Sequence, residues 1–317
     1  IINNHKIKKD LTLMEGISVN MYKRTLVKEV KTAYYQYQQT VQQVQLFEDA
    51  LALVQENLRT TESLYRYNKQ TIDVVYAAEA EVKKVERQIA EAIRARQTAE
   101  AYFNFLLNRP YDEAIEISTV AEAPQAVASL DQARSQAVQQ REEMRQLDQL
   151  AEVASKQVKL NKEEWLPNIN LVADYGVQGT NYRLDSDSDF FMGSLVMSWN
   201  IFNRPTQAKV QQAQIEQQII AQRNAEAKEQ IGLEVVQAHY ALESSRKSID
   251  LSQQELKYSQ KAYQLVEKKF KQGQANLVEL TNARTQQTQA AQKLIIARFD
   301  FQTKMAEYEH ATASYIF

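Results

Sequence analysis

The sequence contains no cysteine and very little glycine or proline. With only 6 glycines and 4 prolines among 317 residues, the chain lacks the turns that an all-β domain needs. The absence of cysteine excludes a disulfide framework and a cysteine-bound zinc site. The composition therefore predicts a chain that is mostly helical.

The chain also lacks an excess of positive charge and any long apolar run. Its formal net charge is -2, with 25% charged residues, which argues against nucleic acid as the main partner. No apolar run approaches the length of about 18 residues that a membrane-spanning helix needs. The start, Ile1 to His5, lacks the features of a signal peptide. Either the protein is cytosolic, or a targeting segment was removed before this sequence begins.

Two long stretches, at about 20–108 and 205–312, align with each other without a gap at an offset of 205 residues. Large residues recur at every seventh position in both stretches. In the first they are Val30, Tyr37, Val44, Leu51, Leu58 and Tyr65, and in the second Val235, Leu242, Ile249, Leu256, Tyr263 and Phe270. A second row of positions, three places after these, holds Ala33, Thr40, Phe47, Val54 and Thr61 in the first stretch and the mostly small Ala238, Ser245, Ser252, Ser259 and Val266 in the second. This period predicts left-handed coiled-coil packing. A helix of about 60 residues reaches roughly 90 Å, so we expect an elongated molecule.

Each stretch is interrupted at an equivalent position, by Asn68 in the first and Gly273 in the second. Both residue types tolerate the left-handed conformation that ends a helix, so we predict a turn at each. A new seven-residue pattern then begins, near Val75 and near Leu280. Each stretch therefore predicts a long antiparallel helical hairpin, with its tip near 66–73 or 271–279. We interpret the repeating residues as coiled-coil core.

The segment between the two stretches has a different character. Pro110 and Pro124 flank Ile115-Glu116-Ile117, which predicts a short strand or an extended linker. Helices are expected from Leu130 to about Val138 and again up to Glu164.

Residues 168–202 alternate apolar and polar side chains in two arms of about ten residues. The odd-numbered positions hold Ile169, Leu171, Ala173, Tyr175, Val177, Phe191, Leu195, Met197, Trp199 and Ile201. The length and period are typical of transmembrane β-strands, with one face towards lipid and the other towards a wet lumen. A soluble amphipathic hairpin packed on helices has the same pattern and remains an alternative.

The loop from Gly179 to Asp189 is polar and acidic, as in the longer external loops of membrane barrels. Asp185, Asp187 and Asp189 imitate a calcium loop, but Phe190 and Val196 stand where glycine and glutamate are required. We therefore expect a solvated loop and no metal site. Two strands alone in lipid would leave unpaired backbone groups, so a membrane hairpin needs strands from other copies or from chain missing here.

Several motifs together resemble a known family. They are Trp165-Leu166-Pro167-Asn168-Ile169 leading into the first arm, Trp199-Asn200-Ile201-Phe202 leaving the second, and Gly273 followed by Leu277, Glu279, Leu280 and Ala283. Arg141, Glu143 and Leu147 add the equatorial signature, although Glu142 stands where proline is usual. Over nearly its whole length the chain resembles the TolC-like outer-membrane efflux proteins, the outer membrane factor family.

The resemblance implies a mainly α fold of very long antiparallel coiled-coil helical hairpins in two structural repeats, plus a transmembrane β-hairpin. A homotrimer would form a 12-stranded β-barrel in the Gram-negative outer membrane, continuous with an α-helical barrel in the periplasm. It would export drugs, toxins or proteins with a periplasmic adaptor (membrane fusion protein) and an inner-membrane pump.

In the terms of that family, residues 1–109 hold what remains of the first repeat, 110–140 an equatorial linker and 141–317 the second repeat. The second repeat would include a β-hairpin at 168–202 and a helical hairpin at 205–312. A full member supplies four strands per protomer, and only one hairpin is visible here. The segment Ile1 to Val19 shows no pattern, so we expect a truncated chain that lacks the leading helix and strands of the first repeat.

In that family acidic residues at the helical tips help to close the resting channel. Glu279 matches one acidic position, whereas Asn282 stands where a second aspartate can occur. Asp73 lies near the first tip but is shifted by one position. The resemblance therefore implies gate residues without a strong double acidic ring.

Catalysis and cofactor binding have no support in the sequence. His5, His239 and His310 are far apart, and no nucleophile motif, phosphate loop or metal-ligand spacing accompanies them. Two other interpretations remain: a soluble elongated coiled-coil scaffold, and a helical toxin or adhesin that inserts a β-ribbon into a target membrane. In the scaffold the hairpin would cap the rod. The toxin shares with the channel the need for a membrane hairpin, but it does not account for the repeat with its matched tips.

Overall fold

The computed structural model describes residues 2–118, 128–178, 189–199, 201 and 204–315. In these ranges the elements are α1 (Ile2–Arg66), α2 (Ile72–Leu106), α3 (Leu130–Gln140), α4 (Glu142–Glu163), β1 (Asn168–Val177), β2 (Asp189–Ser198), α5 (Arg204–Lys271) and α6 (Leu277–Ala311). The prediction of a mainly helical chain with one β-hairpin is confirmed.

The helix boundaries recur at the offset found in the sequence. The ends of α1 and α5, and both ends of α2 and α6, are each 205 residues apart. Asn68 and Gly273 have φ values of 55° and 74°, so the predicted left-handed residues after α1 and α5 are confirmed. Asn108 and Ala313, which follow α2 and α6 at the same offset, have φ values of 54° and 55°.

The two tip turns share one hydrogen-bond pattern. The amide of Lys69 donates to the Leu64 carbonyl at 2.8 Å, and that of Asn68 to Tyr65 at 2.9 Å. At the second tip Gln274 donates to Lys269 at 2.8 Å and Gly273 to Phe270 at 2.9 Å. This pair of bonds is the Schellman motif, which satisfies carbonyls that the end of a helix leaves free.

Most of the predicted core residues are buried, and several equivalent pairs are buried in both stretches, among them Tyr37 with Leu242, Thr40 with Ser245, and Phe47 with Ser252. The buried members include Ala33, Tyr37, Thr40, Val44, Phe47, Val54, Thr61, Val235, Leu242, Ser245, Ser252, Tyr263 and Phe270. Buried hydroxyls are satisfied locally: Thr40 donates to the Tyr37 carbonyl at 2.7 Å and Ser245 to Leu242 at 2.8 Å. Tyr65, near the end of α1, is exposed instead, although the equivalent Phe270 near the end of α5 is buried.

Apolar clusters join the helices of each hairpin. Ala50 and Val54 of α1 pack with Val82 and Val85 of α2. In the second hairpin, one cluster contains Tyr263 and Phe270 of α5 with Leu280 and Ala283 of α6, and Leu64 of α1 packs against it. Burial on this scale, about 1.5–3 kcal/mol for each large side chain, is the main source of hairpin stability.

The expectation that helix begins near residue 20 is wrong, because α1 begins at Ile2. This first part of α1 belongs to a compact unit formed by residues 1–20 and 142–229, the second unit being 21–141 with 230–317. Lys156 of α4 contacts Asp10 at 2.5 Å, and Gln146 donates to Ser18 at 3.0 Å. Asp10 and then Glu152 raise the pKa of Lys156 through their hydrogen bonds with it. Polar contacts with α4 therefore order a segment that lacks an apolar repeat.

The linker after α2 is extended and held by side chains, with no strand in its described part, 110–118. Asn104 donates to the carbonyls of Tyr111 at 3.2 Å and Glu113 at 2.8 Å. Gln38 of α1 donates to the Ser118 carbonyl at 2.9 Å. Of the two interpretations of this segment, the extended linker is the one observed.

We expect Gly273→Ala to lower the free energy of unfolding by about 1 kcal/mol, because an L-residue with a side chain is strained at positive φ. A Cβ at Gly273 would meet nothing within 4 Å, so the loss is conformational. Gly16→Ala is the matched control, since it also meets nothing within 4 Å but lies inside a helix. It should raise stability by up to about 1 kcal/mol. Denaturant unfolding followed by circular dichroism measures both, and equal effects would contradict the prediction.

Candidate functional sites on the β-hairpin and the helical tips

Strands β1 and β2 pair antiparallel, with Leu171 opposite Leu195 and Tyr175 opposite Phe191. Every pair joins two odd-numbered or two even-numbered residues. Since side chains of a directly opposed pair lie on the same face, the odd-numbered apolar residues of both strands share one face. The sequence alternation therefore gives an amphipathic two-stranded sheet.

The apolar face of the hairpin is open to its surroundings. Leu171, Phe191 and Leu195 are 78%, 74% and 73% exposed. The same face carries further exposed residues: Ile169, Tyr175 and Met197. Contiguous exposed apolar surface of this kind marks a protein or membrane contact. Within the described chain, no helix covers this face, which disfavours a hairpin packed on its own helices.

The opposite face is mixed. It carries the polar residues Asn168, Asn170, Asp174, Ser194 and Ser198 together with the apolar residues Val172, Phe190, Met192 and Val196. In the described sheet each strand has a single neighbour. One edge of each strand therefore has backbone groups without a strand partner, as the sequence argument anticipated.

Trp199 and Ile201 lie just beyond β2, so their prediction as strand residues is wrong. In the register of the sheet, Trp199 would pair with Pro167, which has no amide hydrogen to donate, and the pairing stops at Asn168 and Ser198. The Trp199 indole instead donates to the Trp165 carbonyl at 3.1 Å. The side chains of Trp199 and Ile201 remain exposed, at 56% and 60%.

The predicted solvated loop falls mostly at residues 179–188, which include Asp185 and Asp187 and lie outside the described residues. Asp189 begins β2, and its carboxylate accepts a hydrogen bond from the Tyr175 hydroxyl at 3.2 Å. Among the residues that the structure describes, no three histidine, aspartate or glutamate side chains are grouped to hold a metal ion. His239 lies 3.7 Å from Glu243, and its ring is 6.1 Å from that of Tyr308.

The three predicted gate residues are exposed at the tips. Asp73 lies in the first turn of α2, and Glu279 in the first turn of α6. The Glu279 amide donates to the side chain of Asn276 at 2.9 Å, which caps α6. Asn282 lies one turn further along α6, on the same side as Glu279 because their spacing is three residues. The carboxylates of Asp73 and Glu279 also interact favourably with the positive ends of α2 and α6, which gives both residues a structural role.

Comparison with known proteins decides the family. The family model described as Outer membrane efflux protein matches residues 125–312, more than half of the chain. The chain belongs to the outer membrane efflux protein family. This confirms the resemblance to TolC-like proteins.

Solved structures of outer membrane proteins have the same fold as this efflux protein chain. MtrE from Neisseria gonorrhoeae, an outer membrane channel in its open state, is 18% identical with a TM-score of 0.84, covering 98% of this chain and 71% of MtrE. The CmeC channel from Campylobacter jejuni is 12% identical with a TM-score of 0.85, covering 98% and 67%. The outer membrane protein VceC from Vibrio cholerae is 15% identical with a TM-score of 0.82, covering 97% and 73%. No curated protein sequence gives a significant match.

The neighbours MtrE and CmeC are channel proteins and not enzymes. None of the helices described for the efflux protein chain is both long and apolar enough to span a bilayer.

The residues matched to the equatorial signature in the sequence lie where α3 ends and α4 begins. Arg141 is extended between the two helices, and its buried guanidinium pairs with Glu234 of α5. Glu142 is the first residue of α4, the position at which proline is tolerated because no intrahelical amide bond is lost. A glutamate there interacts favourably with the helix dipole instead. Near the Arg141–Glu234 pair, a Cβ at Gly232 would lie 3.3 Å from the Arg134 guanidinium, so this glycine admits that side chain.

A buried ion pair below the tips escaped the sequence analysis. Arg284 of α6, whose side chain is 4% exposed, pairs with Glu81 of α2. It therefore links the second helices of the two hairpins, α2 and α6. A signal was present, because Glu81 precedes the core residue Val82 and Arg284 follows the core residue Ala283. These are the flanking positions from which coiled-coil helices form ion pairs.

We expect Arg284→Met to lower the free energy of unfolding by about 3 kcal/mol, because the Glu81 carboxylate then has, among the described residues, only the more exposed Lys84 as a cationic partner, at 3.4 Å. The double variant Arg284→Met with Glu81→Leu should recover most of this loss, since no uncompensated buried charge remains. Arg87→Met is the control, because the exposed Arg87–Glu91 pair at 2.8 Å contributes less than about 1 kcal/mol. Chemical denaturation measures all three, and a double variant no more stable than Arg284→Met would contradict the account.

Proposed function

We propose that this chain is the outer-membrane channel subunit of a tripartite efflux or type I secretion system. It acts as a passive export duct for drugs, toxins or proteins. Three copies form a β-barrel in the outer membrane and an α-helical barrel in the periplasm of a Gram-negative bacterium. A periplasmic adaptor and an inner-membrane pump dock at the helical tips and open the duct.

The exposed apolar face of the hairpin is the observation that carries this proposal. Its strands are ten residues each, the length that crosses a bilayer when tilted. In lipid, each unpaired backbone group at a strand edge costs several kcal/mol, so the hairpin must join other strands in a closed wall. In a 12-stranded barrel each protomer contributes a second hairpin besides the described one. The lipid-facing residues are then Ile169, Leu171, Tyr175, Phe191, Leu195 and Met197, with Trp199 and Ile201 near the interface.

Association of copies is also supported by exposed apolar residues on the helices. Leu251, Tyr258 and Leu265 recur every seven residues along α5 and are more than half exposed. Leu53 of α1, which is equivalent to Tyr258 at the 205-residue offset, is exposed as well. A stripe with this period suits helix packing between protomers.

In this proposal the chain is divided into the two structural repeats of the family. Residues 1–109 form the helical hairpin of the first repeat, 110–140 the equatorial linker, and 141–317 the second repeat. Asp73, Glu279 and Asn282 lie near the turns at Asn68 and Gly273 and are the proposed gate residues. The rival proposal, a soluble coiled-coil scaffold, leaves the exposed face of the hairpin without a function.

Leu171→Arg should strongly reduce recovery of the protein in the outer membrane, because a cation on the lipid face near the bilayer midplane costs about 2–4 kcal/mol. Asn170→Arg is the matched control, since the neighbouring residue points to the opposite face of the strand. Membrane fractionation and the amount of heat-resistant trimer in detergent are the measurements. Equal recovery of the two variants, or wild-type protein that stays soluble without detergent, would favour the scaffold.

Reconstituted full-length protein should conduct ions in planar bilayers. Asn282→Asp should increase the cation selectivity of the resting channel, because it adds a carboxylate beside Glu279 at each tip. Glu279→Gln should decrease it, and the reversal potential in a salt gradient measures both. Gln254→Glu, at an exposed position of α5 far from its tip end, is the charge control and should leave the selectivity unchanged. A trimer that shows no conductance would contradict the channel function.

A further inference from the structure

Three residues on the non-lipid face of the hairpin combine a carboxylate, an aromatic ring and a thioether. The register sets Asp174 directly opposite Met192, and Gly176 directly opposite Phe190. Directly opposed side chains have Cβ atoms about 5 Å apart, and diagonal neighbours are about 7–8 Å apart. Asp174, Met192 and Phe190 therefore lie side by side near the loop end of the sheet.

The ring of Phe190 is held against the opposite strand. A Cβ added at Gly176 would lie 2.9 Å from Cε1 and 3.0 Å from Cζ of that ring, so only glycine admits it there. Phe190 is consequently 42% exposed, whereas its neighbour Phe191 on the other face is 74% exposed. The ring keeps an exposed surface on the face that also carries the exposed carboxylate of Asp174, its diagonal neighbour across the sheet.

We propose that Asp174, Phe190 and Met192 form a contact site for amphipathic organic cations inside the duct. The inference rests on the proposed function, because it takes the face opposite the lipid-facing residues as the wall of the lumen. The carboxylate attracts the cationic group, and the aromatic ring and thioether contact the apolar, aromatic part of the same molecule.

The test is block of single-channel conductance by benzyltriethylammonium, added on the loop side of reconstituted full-length protein. Asp174→Asn and Phe190→Ala should each raise the half-blocking concentration about two- to fivefold, the range expected for the loss of an exposed ion pair or of one aromatic–aromatic contact. Phe191→Ala is the matched control and should leave the half-blocking concentration unchanged. Tetramethylammonium, which lacks the benzyl group, should block wild-type and Phe190→Ala channels equally.

If the Phe190→Ala variant fails to assemble, Phe190→Leu tests the same aromatic contact. Leucine still covers Gly176 but has no π face, so it should also raise the half-blocking concentration. Equal block of wild-type, Asp174→Asn and Phe190→Leu channels would overturn the contact site and leave the channel function intact. Absence of any conductance from wild-type trimer would instead contradict the proposed function itself.

Discussion

A β-strand in a bilayer needs a hydrogen-bond partner for every backbone amide and carbonyl along both edges, because lipid offers none. In the described hairpin, β1 and β2 form hydrogen bonds with each other along one edge. The second edge of each strand has no strand partner among the described residues. Its apolar face is exposed along both strands, so nothing in the described chain removes it from solvent. The proposed membrane location, the need for several copies and the direction of the two faces all depend on this single constraint.

The helices are subject to a different constraint. They are too long to fold around one compact core, so they must bury their large side chains along their length. The two helical hairpins repeat the same plan at an interval of 205 residues. Their helix ends, their left-handed turn residues and buried positions such as Thr40 and Ser245 correspond. Where the two repeats differ, the difference is in side-chain volume. Phe47 occupies in the first repeat the place that Ser252 occupies in the second, and both are buried. The same backbone plan therefore accommodates different packing partners.

The features that could be predicted from the sequence are those set by local periodicity. Alternation over ten residues predicted both strands and the face of each side chain, and Asn68 and Gly273 predicted both tips. Features that depend on distant contacts were missed. The first part of α1 is held by polar contacts of Asp10 and Ser18 with Lys156 and Gln146 of α4. No local sequence pattern predicts such contacts. The end of β2 is set by Pro167 on the other strand, and the Arg284–Glu81 pair requires knowing which two helices adjoin.

The two tip turns have the same hydrogen bonds but are closed by different residues, asparagine in one and glycine in the other. Glycine samples far more backbone conformations than asparagine, so the two loops differ in stiffness although their shapes match. In the proposed ring of tips from several copies, only the tips of the second repeat would then have the more flexible glycine turn. Its softer members would be those of the second repeat, and deformation of the ring would begin there.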